Sequence, residues 1–101
     1  MTKRSELLSK IRASQAWKKF QDATRFTAFG DIGLETEKLL EQRIPLLSEH
    51  MTAALLDALA PELEAVLFYV SEDGGYADIS KNGSCFRYRD FGHVVTVKEA
   101  K

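Results

Sequence analysis

Long apolar runs are missing from this sequence. The longest uncharged apolar stretch lies near Ala65 to Val70, far short of the ~20 residues a membrane helix needs. Lys3 and Arg4 stand near the start, but Glu6, Lys10 and Arg12 interrupt the apolar residues behind them. A secretory signal is therefore not expected, and neither is a membrane partner. Cysteine is almost absent. Cys85 alone cannot form an internal disulfide, which fits a reducing compartment and a cytoplasmic location. His50 and His93 with that one cysteine give no zinc-type spacing. Asp73, Asp78 and Asp90 lack the loop spacing of a calcium site. Gly74-Gly75 is not followed by a helix start, which a phosphate cradle requires. Asp90-Phe91-Gly92 spells a kinase tripeptide, but the chain is far too short for a kinase, and the segment is read as a turn. No metal and no cofactor are expected.

What is present is ordinary in amount: 101 residues, 45% hydrophobic and 29% charged. That excludes whole-chain disorder and leaves room for one domain, residues 1–101. A domain of this size buries only somewhat more than ~60% of the surface its unfolded chain exposes. The thin margin is compatible with a homodimer.

A net charge of −1 hides an asymmetry. Residues 1–25 carry seven basic side chains, Lys3, Arg4, Lys10, Arg12, Lys18, Lys19 and Arg25, against Glu6 and Asp22. Residues 30–73 carry ten acidic ones against Lys38 and Arg43. A basic head thus precedes an acidic middle. Either the two attract each other or remain solvated, or one of them meets a partner of opposite sign.

The hydrophobic period changes along the chain. Residues 3–60 read as helical. Leu7, Leu8 and Ile11 form one stripe and Trp17 and Phe20 another, and at ~100° per residue the two do not align. A break near Ala13-Ser14, with Ser14 as the N-cap of a second helix, resolves this; the alternative is one helix touching two different surfaces. Residues 24–33 read as a loop holding Gly30 and Gly33. Its Phe26 and Phe29 are expected to fold back onto the core, the alternative being an exposed anchor for a partner. Pro45 places a boundary near Arg43-Ile44 and suits the first turn of the helix that follows. That helix carries Leu47, Met51, Leu55 and Leu59 at i+4 steps and is expected to end at Ala60-Pro61.

From 65 to 98 the pattern is β. Ala65–Val70 and Tyr76–Ser80 read as strands, Asn82-Gly83 as a type I′ hairpin turn, and Val94–Lys98 as a last strand before a frayed end. With Lys81 opposite Ser84, Ile79 faces Phe86 and Ala77 faces Tyr88 on one side. Asp78 then faces Arg87 and Tyr76 faces Arg89 on the other, so opposite charges and an arginine–aromatic pair coincide. The expected fold class is α+β: two to four N-terminal helices, then a three- to four-stranded antiparallel meander, with a long amphipathic helix packed on one sheet face.

No residue pattern here spells a catalytic site. Cys85 with His93 or His50 is the one nucleophile–base candidate, and neither an oxyanion element nor an orienting third group accompanies it. Two surfaces suit a protein partner. One is the sheet face of Tyr76, Asp78, Arg87 and Arg89, rich in the residues that dominate interfaces. The other is the acidic helices with Glu35, Glu37, Glu41 and Glu49, which suit a basic partner. The alternative is nucleic-acid binding through Lys10, Arg12, Lys18, Lys19 and Arg25, with Trp17 and Phe20 among them, although a pI near 6.1 lies below the basic footprint usual for such domains. The expectation is a non-enzymatic protein-binding module, acting as an inhibitor, an immunity-type protein or a regulatory accessory protein.

Overall fold

The computed structural model describes residues 2–59, 65–81 and 83–100. Helix α1 spans Lys3–Ala13 and α2 spans Gln15–Ala23. The break between them falls at Ser14, whose hydroxyl accepts from the Trp17 amide as an N-cap. Ser14 has extended backbone angles, so α2 leaves α1 in a new direction. Leu7, Ile11 and Trp17 can then all be buried despite their mismatched stripes.

Helix α3 spans Ile32–Arg43, begins under an Asp31 N-cap that accepts from the Leu34 amide, and includes Gly33. The expected loop is therefore shorter than 24–33. Position 33 suits glycine despite its poor helix propensity, because α3 crosses α2 so closely that a Cβ there would stand 2.9 Å from the Gln21 Cα. Phe26 and Phe29 do not fold back onto the core, as expected above; they are 93% and 90% exposed. Thr27 and Gly30 exchange backbone hydrogen bonds, and the Thr27 hydroxyl also donates to the Gly30 carbonyl. The turn between α2 and α3 thus closes on itself, and among the described residues nothing covers the Phe26 and Phe29 rings.

Pro45 lies in a short 3-10 turn, Ile44–Leu46, rather than in the first turn of an α-helix. Helix α4 starts afterwards under a Ser48 N-cap and runs Glu49–Ala58. The expected stop at Ala60-Pro61 lies outside the described residues. Leu47, Met51, Leu55 and Leu59 are all buried. Each such side chain is worth about 1.5–3 kcal/mol, against a few tenths per residue for helix propensity. The stripe, not the propensity, therefore holds α4 in place.

Strands β1 (Ala65–Val70), β2 (Tyr76–Lys81), β3 (Ser84–Asp90) and β4 (Val95–Ala100) form an antiparallel sheet in sequence order. The fold is α+β, helices first and then a meander. The β2–β3 register is the one that alternation demanded, from Tyr76 opposite Arg89 to Lys81 opposite Ser84. Gly83 has φ +84°, as a tight hairpin turn requires; Asn82 lies outside the described residues. Glu99 and Ala100 are strand rather than a frayed tail, because they pair with Phe86 and Cys85; Lys101 lies outside the described residues.

The inner sheet face, with Leu67, Ala77, Ile79 and Tyr88, meets the helices. Helix α4 lies against β3 and β4, while α2 and α3 lie along β1. Two arginines lace the helices together. Arg4 donates to the Leu47 carbonyl from Nε (2.9 Å) and Nη2 (2.7 Å), and Arg12 pairs with Glu37 (2.9 Å) and Glu41. Part of the basic head is therefore spent on the acidic middle. Among the described residues no helix is long and apolar enough to cross a membrane.

Candidate binding surface

Strand alternation sends Tyr76, Asp78, Arg87 and Arg89 to the sheet face opposite the helices, and their register makes them neighbours. Arg87 grips Asp78 with two parallel hydrogen bonds, Nε to Oδ1 at 2.7 Å and Nη2 to Oδ2 at 3.0 Å. Its guanidinium also lies 4.3 Å from the centroid of the Tyr76 ring. The hydrogen bond that Arg87 donates to Asp78 raises the pKa of Arg87 above its ordinary value, more than burial lowers it. Arg89 approaches the same ring at 5.6 Å.

The array extends through residues the sequence did not single out. A bulge between Leu67 and Tyr69 turns Tyr69 to this outer face, opposite Asp78. Its ring lies 5.9 Å from that of Tyr76, tilted by 37°. Arg43, at the end of α3, donates from Nη1 to the Val70 carbonyl (2.9 Å) and sits 5.3 Å over the Tyr69 ring. On the other side, Lys98 stands opposite Arg87. The face thus runs Arg43, Tyr69, Tyr76, Arg87 and Arg89, with Lys98 beside them. Four cations share this face with the Asp78 carboxylate, held by Arg87, and at the rim with Glu72, 4.0 Å from Arg43 and 90% exposed. Among the described residues no carboxylate lies within ion-pair distance of Arg89.

The other sequence candidates do not converge in this way. Glu37 accepts from Arg12 and, at 3.0 Å, from Gln21. Glu41 is also held by Arg12, Glu35 lies 3.9 Å from Lys38, and Glu49 belongs to α4. Of the basic candidates, Arg12 is engaged by these acids and Arg25 by Asp22 at 3.3 Å, while Lys10 and Lys18 are exposed. Trp17 is 1% exposed and packs on Phe20 at 5.3 Å, and Phe20 packs in turn on Phe68. Trp17 is therefore a core residue rather than a stacking platform.

Cys85 is exposed near the hairpin end of β3. His93 follows the opposite end of that strand, and His50 reaches Asp90 there. Five residues of strand separate Cys85 from Asp90, on the order of 16 Å, so the cysteine and the histidines do not meet. Ser48, Asp90 and His50 do meet. The Ser48 hydroxyl donates to Asp90 Oδ2, and His50 Nε2 lies 3.2 Å from Oδ1. In a hydrolytic triad the imidazole bridges hydroxyl and carboxylate; here the carboxylate bridges the other two. Among the described residues no imidazole reaches the Ser48 hydroxyl, which also accepts from the Met51 amide at 3.1 Å and caps α4. Among the described residues no group of three potential metal ligands is found.

No family model matches the chain, and neither a curated protein nor a solved structure matches it.

Proposed function

We propose that this protein is a non-enzymatic binding module whose outer sheet face takes an acidic segment of a protein partner. The observation that carries this reading is the Arg43–Tyr69–Tyr76–Arg87/Arg89 array. Two tyrosine rings hold three guanidinium groups in place, so little side-chain entropy remains to be lost on binding. Arginine and tyrosine are the side chains on which interface energy concentrates. Arg89 has no carboxylate of its own among the described residues, and a partner's Asp or Glu would supply one. An inhibitory, immunity-type or regulatory role in the cytoplasm accords with this chemistry and with the unpaired Cys85.

The acidic helices and the basic helices are rival surfaces. Less supports them, since Arg12 joins Glu37 and Glu41 within the fold.

The test is capture from host extract by the tagged wild type and by Arg89→Glu, each with and without nuclease. A protein that survives nuclease treatment with the wild type and is lost with Arg89→Glu supports the outer face. Equal capture by both forms refutes it, and capture abolished by nuclease moves the function to nucleic acid and the basic helices.

A further inference from the structure

The two edges of the sheet are treated differently. Along β1, the Ser14 hydroxyl donates to the Ala65 carbonyl at 3.1 Å and Arg43 to the Val70 carbonyl, with α2 and α3 alongside. That edge is covered. Among the described residues nothing comparable closes β4. The Phe91 amide donates to the Val94 carbonyl at 3.0 Å, which marks Phe91/Val94 as a hydrogen-bonded pair of the β3–β4 ladder. Antiparallel pairs alternate, so Arg89/Thr96 and Arg87/Lys98 are hydrogen-bonded too. Asp90/Val95, Tyr88/Val97 and Phe86/Glu99 are the pairs that are not. The backbone N–H and C=O groups of Val95, Val97 and Glu99 therefore point away from β3. On the same strand the Val97 side chain is on the helix-side face, yet 49% exposed.

We infer that β4 pairs with β4 of a second copy of this chain, antiparallel about a two-fold axis at Val97. In that register Val97 faces Val97 and Val95 faces Glu99 in both directions, so all three outward residues exchange hydrogen bonds. Thr96 faces Lys98 on the outer side. The neighbouring symmetric registers are worse. One sets Lys98 directly against Lys98, which is destabilising. The other sets Thr96 against Thr96 and leaves Glu99 beyond the partner strand. The strand is thus complementary to itself in one alignment. The result is a continuous eight-stranded sheet in which the half-exposed Val97 side chains cover each other. The two outer faces lie on the same side, with Arg87, Arg89 and Lys98 of both copies nearest the axis. This inference does not depend on what the outer face binds.

Sedimentation equilibrium over a range of concentrations tests it, comparing wild type with Val97→Pro. Proline at 97 removes an N–H that points away from β3 and leaves the β3–β4 ladder whole. The wild type is expected to reach about twice 11.4 kDa, and Val97→Pro to raise the dissociation constant at least ~10-fold. Hydrogen exchange on the wild type reads the same contact without a substitution: the amides of Val95, Val97 and Glu99 should slow as concentration rises. A monomer at every concentration up to ~1 mM overturns the inference. So does a dimer unaffected by Val97→Pro, or one in which those three amides exchange at the same rate at high and low concentration.

Discussion

Asp90, at the end of β3, accepts a hydrogen bond from the hydroxyl of Ser48, the residue that caps α4. This joins the sheet to the helix whose stripe fills much of the core. The Ser48 hydroxyl, then the Gly92 amide and the neighbouring His50 charge, hold the Asp90 pKa below its ordinary value. The Gly75 amide and the Ser71 hydroxyl likewise lower Asp73. A carboxyl more acidic in the folded state than in the unfolded chain stabilises the fold above the unfolded value, about 3.9. That contribution is lost as pH falls through this value and then through the folded one. Asp90→Asn should cost about 2 kcal/mol near neutrality, the scale of hydrogen bonds to a charged group. It should also flatten the acid limb of stability against pH. Urea melts from neutral pH down to about pH 2.5, across the window set by the unfolded value, check both; an unchanged acid limb would contradict the role assigned to Asp90.

Gly74 and Gly83 both sit at positive φ, +74° and +84°, but their surroundings differ. A Cβ on Gly74 would lie 2.7 Å from the Leu46 carbonyl oxygen, whereas one on Gly83 would meet nothing within 4 Å. Gly83→Ala should therefore cost only the left-handed strain, about 1–2 kcal/mol. Gly74→Ala adds displacement of the 3-10 turn before α4 and should cost ~3 kcal/mol or more. Denaturant melts followed by Trp17 fluorescence should separate the two variants. Equal losses would mean that the β1–β2 turn does not press on Leu46.

Phe26 and Phe29 contribute almost nothing to the core. The double change Phe26→Ser, Phe29→Ser should leave stability within about 0.5 kcal/mol of wild type, as for surface positions generally. It should also lower the binding of a hydrophobic dye to the folded protein. A loss of several kcal/mol in the same melts would show that the rings pack somewhere after all.

The Asp78–Arg87 pair is well aligned but partly solvated, with side chains 28% and 38% exposed. Its coupling should therefore be small and weaken in high salt. A double-mutant cycle with Asp78→Ala and Arg87→Ala at low and high ionic strength measures this. The same cycle on Tyr76 and Arg87 should keep most of its coupling in salt, because ring and guanidinium also share packing.

The β2–β3 hairpin was legible in the sequence alone. Its turn is local, and a slip of one residue would have exchanged Ile79 and Phe86 for Asp78 and Arg87 on the core side. The Ser14 break was legible for a similar reason, since two stripes out of phase would oblige one straight helix to touch two different surfaces. What chain geometry at long range decides was not. Continued alternation from Leu67 places Tyr69 on the core face, and only the bulge turns it out to meet Tyr76 and, from α3, Arg43. Phe26 and Phe29 have the composition of core residues. They are exposed because, among the described residues, no layer lies under the short turn between α2 and α3. The covered β1 edge and the open β4 edge follow from where the helices come to rest. Periodicity fixes which side of an element is apolar, but which neighbour that side meets is settled only when the whole chain has packed.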